Sequence, residues 1–275
     1  MWVSLLFFPE SRNALDCLYN FLDTGTMVFL LAILFGLVVG SFLNVLIDRI
    51  PRGENFIWKP SHCDFCKKPL RWFELFPLVS FLAQGGKCRR CKKRLPMQYP
   101  LIELLTASGF VLLLPYAGVT PLYYVLTLII FSMSVVIFFI DLNHQIIPDG
   151  ALIGIAIALL ILAIPLPPAL LLEHILAGVM SALGFFSLWV ITRGRGLGFG
   201  DVKLVLLIGL LLGYPLTVVA LYVAFLTGAT TGVILIVTNR AKMKTRIAFG
   251  PFLIAGALCA IVLGERILAW FYMLL

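Results

Sequence analysis

The sequence predicts an all-α polytopic membrane protein of about eight transmembrane helices, with a small zinc-ribbon-like cytoplasmic module between the first two. Three observations predict it. Of 275 residues, 61% are hydrophobic and 12% charged, against about 45–50% apolar and about 25% charged in a soluble domain. The mean hydropathy is +1.07. The apolar residues form continuous runs about twenty residues long, which suits helices; a barrel would need alternating segments of about ten. Backbone groups in lipid must be satisfied within the segment, so helices follow. Finally, the basic residues gather between alternate runs, as the positive-inside rule requires.

The runs fall at about 27–47, 100–116, 121–140, 150–171, 174–192, 202–213, 215–238 and 250–272. Residues 1–26 read as an extracytoplasmic lead-in without the basic start of a cleavable signal peptide. The domain division expected is 1–26, a first span at 27–47, a cytoplasmic four-cysteine module at 48–99 and a transmembrane core at 100–275. The sixth and seventh runs meet at Gly213-Tyr214-Pro215, which fits a tight turn; a single merged helix is the alternative and would invert every later loop.

With loop 48–99 placed inside, only Arg12 and Arg266 of the 21 Lys and Arg residues fall outside. The formal net charge of +8 is therefore a topology signal and a contact for anionic membrane lipids, not a footprint of nucleic acid.

The module at 48–99 is too small to bury much core. It holds Cys63-Asp64-Phe65-Cys66 and Cys88-Arg89-Arg90-Cys91, with 21 residues between the pairs. Two C-x-x-C turns supply four thiolates, which suits a structural zinc site with no position left for catalysis. Redox or free thiols are the alternatives, and a reducing cytoplasm argues against disulfides. Cys17 and Cys259 stand alone.

Two aspartates lie at span ends. Asp141 follows Val135-Val136-Ile137-Phe138-Phe139-Ile140, and Asp201 follows Gly196-Leu197-Gly198-Phe199-Gly200. Ionisable residues at membrane depth are functional candidates by default, and the topology puts both on the cytoplasmic side. Two carboxylates sharing a proton can activate water and protonate a leaving amine, which is peptide hydrolysis. Gly198 and Gly200 would let an extended substrate backbone approach Asp201. A phosphate-binding glycine loop would need a preceding strand, and a membrane helix precedes this one.

At these residues the sequence resembles the type IV prepilin peptidases of the GxGD class of membrane aspartyl proteases. The resemblance rests on Gly198-Phe199-Gly200-Asp201 with Val202-Lys203-Leu204, on Asp141 with Ile147-Pro148-Asp149, and on Gly40-Ser41-Phe42-Leu43-Asn44-Val45 with Arg49-Ile50-Pro51. The two cysteine pairs and Gly250-Pro251-Phe252 add to it, so that it spans about residues 27–270. It implies Asp141 and Asp201 as the catalytic pair. It implies removal of the basic leader from prepilins or type II secretion pseudopilins at the cytoplasmic face of a bacterial inner membrane. The cysteine pairs match the long bifunctional members, which implies methylation of the new N-terminal amine from S-adenosylmethionine. Nothing in composition or spacing shows methyl transfer, and no soluble dinucleotide-type signature marks a donor pocket. The cysteine module and the first signature are the places to look.

Three other polar residues carry two readings each. Glu103, after Tyr99-Pro100, either compensates a helix N-terminus or serves the donor or substrate site. Asn44 either pairs across helices or lines a pocket. Lys203 either snorkels to the interface or modulates the aspartates. Arg49 and Arg52 read as interfacial anchors, His144 as a solvated loop residue and Asp149 as the cap of the fourth helix. Asp48, Glu54, Glu74 and Asp149 are the few acids available to meet a basic leader. The alternative function is a proton-coupled secondary transporter using the same aspartates; it is disfavoured because both lie at span ends and no repeat is evident.

Overall fold

The computed structural model describes residues 26–55, 58, 60–63, 65–115, 120–194, 196–239 and 247–274. The lead-in 1–25, Cys17 and the basic stretch 240–246 lie outside the described residues. Each predicted apolar run contains a helix: α1 Thr26–Arg49, α2 Gln98–Leu112, α3 Pro121–His144, α4 Asp149–Ala163, α5 Pro168–Ile191, α6 Phe199–Leu212, α7 Leu216–Val237 and α8 Gly250–Leu274. Five of these (α1, α3, α5, α7 and α8) are long and apolar enough to cross a membrane. α2, α4 and α6 have only 14 or 15 residues, and at 1.5 Å per residue they reach roughly 20–23 Å, short of a bilayer core of roughly 30 Å.

Two boundaries differ from expectation. α4 stops at Ala163 and α5 begins at Pro168, so the fourth run does not continue to 171. Pro165, Pro167 and Pro168 lie in the gap or at the start of the next helix. Proline lacks a backbone donor and clashes with the preceding turn, and hydropathy alone does not register that. Glu173 and His174 are therefore inside α5. The merged-helix alternative fails at Gly213, whose φ of +67 is a left-handed conformation that ends α6.

The chain divides into an N-terminal unit, Pro9–Val136, and a C-terminal unit that includes Ile137–Leu275. In the first, α1 packs on α2. A Cβ on Gly36 would stand 2.6 Å from Ala107 Cα, and one on Gly40 would stand 2.7 Å from Glu103 Cα. Gly36 and Gly40 are one helical turn apart on one face, a small-x-x-x-small pair that lets two membrane helices approach closely. The seam continues through the ring contact of Phe35 and Phe110 at 5.7 Å. The opposite face of α1 exposes Leu30, Leu31, Leu34 and Val38, an apolar surface suited to lipid.

In the second unit α6 is the hub, packing on α4, α5, α7 and α8. Val202, Leu204, Val205, Leu207, Ile208 and Leu212 are all buried. A Cβ on Gly209 would stand 2.5 Å from Gly178 Cα on α5. Because α6 is enclosed by its neighbours, its apolar surface is core, and its first turn presents Asp201.

Candidate active site

Asp141 sits in the last turn of α3 and is 4% exposed; Asp201 sits in the first turn of α6 and is 6% exposed. Each carboxylate accepts one backbone N–H from a glycine. Gly250 donates to Asp141 Oδ2 at 2.8 Å, and Gly198 donates to Asp201 Oδ2 at 2.9 Å. The Gly198 bond closes the first turn of α6 in the manner of a capping box. The two carboxylates stand at opposite kinds of helix end, Asp141 at the C-terminus of α3 and Asp201 at the N-terminus of α6. Both belong to the C-terminal unit.

The glycines have packing reasons. A Cβ on Gly250 would stand 2.6 Å from Asp141 Oδ2, and one on Gly200 would stand 2.9 Å from Ile147 Cβ. The bare side of Gly200 is thus filled by Ile147, where the sequence suggested space for substrate. Lys203 donates to Asp149 Oδ1 at 2.6 Å and lies 5.4 Å from the centre of the Phe199 ring. Asp149 is the first residue of α4, and Pro148 stands at the cap position.

In the N-terminal unit the cysteine module forms two matching knuckles. Cys63 N–H donates to Lys68 O and Lys67 N–H to Cys63 O; Cys88 N–H donates to Lys93 O and Lys92 N–H to Cys88 O. Lys67 and Lys92 both have positive φ, 54 and 58. The four sulfurs of Cys63, Cys66, Cys88 and Cys91 all lie within 4.8 Å of one another, with Cys63 and Cys91 at 3.9 Å. A zinc tetrahedron with bonds of about 2.3 Å has edges of about 3.8 Å, so these residues fit that ion. Burial pushes the Cys63 thiol up to about 11, whereas backbone N–H groups, first that of Cys91, draw Cys88 down to about 7.

Asn44 and Glu103 are each 7% exposed and line one cavity of about 190 Å³ walled by α1, the cysteine module and the start of α2. Arg49 is buried, and its guanidinium donates to Asn55 O and Pro60 O at 3.0 and 2.9 Å. It ties the module to the end of α1 and is no interfacial anchor. Tyr99 OH donates to Asp48 Oδ2 at 2.9 Å. His144 is exposed at the end of α3.

Two residues escaped the sequence reading. Gly250 holds Asp141 from 109 positions away; its only signal was the Gly-Pro-Phe segment. His174 is buried, with Nδ1 at 2.8 Å from Leu210 O; the fifth run included it, but nothing marked a single histidine there.

Two buried carboxylates at helix ends, a four-cysteine module and five helices long and apolar enough to cross a membrane define a polytopic helical membrane protein. Residues 34–116 match the bacterial peptidase A24 N-terminal domain, and residues 128–233 match the type IV leader peptidase family. A prepilin leader peptidase/N-methyltransferase of Pseudomonas aeruginosa is 32% identical over 91% of this chain and 96% of its own length. Another of that name from Bacillus subtilis is 33% identical over 86% of this chain and 95% of its own length. One from Myxococcus xanthus is 34% identical over 80% and 67%. No solved structure matches. The chain belongs to the type IV leader peptidase family, and these findings give the transporter reading no support.

Proposed function

We propose that this protein is a membrane aspartyl endopeptidase that removes the leader from prepilins or pseudopilins and methylates the new N-terminal amine. The observation that carries the peptidase reading is the matched pair, Asp141 on Gly250 N–H and Asp201 on Gly198 N–H. The relatives' shared name supports both activities.

In cleavage, one carboxylate takes a proton from water as the water oxygen bonds to the scissile carbonyl carbon. The other carboxyl gives its proton to the departing amide nitrogen, and the C–N bond breaks. Gly250 and Gly198 fix the orientation of the two carboxylates. Gly198, whose bare side lies beside Asp201 Oδ2, is the candidate to guide the substrate, whereas Gly200 and Lys203 are taken up by Ile147 and Asp149. The eight helices are proposed to lie with the aspartates at the cytoplasmic face of the inner membrane, loop 48–99 inside and both chain ends outside. Of the three short helices, α6 is the one enclosed by its neighbours within the C-terminal unit.

Zinc on Cys63, Cys66, Cys88 and Cys91 would fold the module. S-adenosylmethionine would supply the methyl group for the new N-terminal amine.

The test is cleavage of a synthetic prepilin by the purified protein beside Asp141→Asn and Asp201→Asn. Loss in both variants is expected. Cleavage near the wild-type rate by either variant would remove that aspartate from the chemistry.

A further inference from the structure

The cavity in the N-terminal unit contains a buried acceptor without a partner. Asn44 Nδ2 donates to Tyr99 O at 3.1 Å. That carbonyl can only accept, so the amide orientation is set by chemistry. Asn44 Oδ1 is then left buried with no partner on a residue that lines the cavity. A buried acceptor in that state calls for an N–H from a ligand.

The charge of the cavity narrows the ligand. Four carboxylates line it, those of Asp48, Glu54, Glu74 and Glu103, against two guanidiniums. The Arg49 guanidinium is already engaged by the carbonyls of Asn55 and Pro60. Glu103 is buried on the wall, with Oε2 accepting Leu78 N–H at 2.8 Å. An acidic cavity inside a module rich in lysine and arginine selects a cationic ligand bearing N–H groups and excludes phosphates. Its volume of about 190 Å³ suits a small molecule and not a folded partner. Cys63 and Cys88 also line it, so the metal-bound module would form one wall.

We propose that this cavity is the seat of the methyl donor, with Asn44 Oδ1 accepting a donor N–H and Glu103 facing its positive charge. The assignment rests on the methyltransferase reading above. S-adenosylmethionine has the required chemistry: a sulfonium, an α-ammonium and an amino group, with net charge +1 after its carboxylate. The C-terminal aspartates take no part in holding it.

The test is calorimetric binding of S-adenosylmethionine to the full-length zinc-loaded protein in nanodiscs, with a basic leader peptide as a second titrant. Glu103→Gln keeps the shape and can still accept the Leu78 N–H, while it removes the charge. Asn44→Leu removes the acceptor. Donor affinity is expected to fall about tenfold or more in both, with zinc content and melting temperature kept. If Asn44→Leu loses zinc or melts early, Glu103→Gln alone decides. Folded variants that bind the donor like wild type would overturn the cavity assignment. Weakened binding of the leader peptide with unchanged donor binding would make this the leader's site and overturn it too. A wild-type protein that binds no donor would overturn the methyltransferase reading itself.

Discussion

The C-terminal unit holds its two buried carboxylates with almost nothing: each is given one glycine N–H, at the ends of packed apolar helices. The N-terminal unit surrounds its own buried carboxylate, Glu103, with polar backbone, an asparagine amide and a four-cysteine module outside the spans. The first arrangement leaves lone pairs on Asp141 and Asp201 for water and a proton, which suits hydrolysis. The second builds a walled polar cavity, which suits holding a small charged molecule. On the proposed function, neighbourhood and not residue type divides the acids between two tasks.

Removing the metal should give the largest effect. A four-thiolate zinc site contributes on the order of 10 kcal/mol of folding free energy. Chelation, or Cys63→Ser, should release zinc, lower the melting temperature of the N-terminal unit and abolish donor binding, as zinc analysis and calorimetry would show. Retained donor binding without metal would uncouple module and cavity. Asp141→Asn or Asp201→Asn should lower single-turnover cleavage by on the order of 10³–10⁴-fold, by analogy with other catalytic constellations.

Gly250→Ala should come next. Its Cβ would stand 2.6 Å from Asp141 Oδ2, and a displaced catalytic group costs up to about 10²-fold. Cleavage kinetics with an unchanged melting temperature would separate this from unfolding. Gly40→Ala forces a Cβ to 2.7 Å from Glu103 Cα and should destabilise the α1–α2 seam by about 1–3 kcal/mol, read as thermal unfolding with weakened donor binding. Lys203→Ala should matter least. Its bond to Asp149 is between side chains 41% and 67% exposed, and such pairs contribute about 0–1 kcal/mol; a cleavage rate within about threefold of wild type is expected.

Much of this was legible from pattern. Among the described residues a helix lies on each apolar run, because lipid permits little else, and the cysteine cluster follows from two C-x-x-C turns. The helix limits near Pro165 and Pro168 were lost because hydropathy counts proline by its side chain and not by its missing donor. The meeting of Asn44 and Glu103 was hidden by their separation in the chain. It depends on the glycine pair Gly36 and Gly40, a packing signal that composition does not reveal. The bond from Gly250 to Asp141 is likewise a product of tertiary packing across the C-terminal unit. Local chemistry marked the groups, and helix packing decided their partners.

The central claim is that two sites carry two reactions. It is tested most directly by supplying Asp141→Asn and Asp201→Asn with full-length prepilin, and then with the pre-cleaved peptide and S-adenosylmethionine. Neither variant should cleave the prepilin, and both should still methylate the pre-cleaved peptide. Cleavage near the wild-type rate by either variant, or loss of methylation in a variant that keeps its zinc and its fold, would contradict the account.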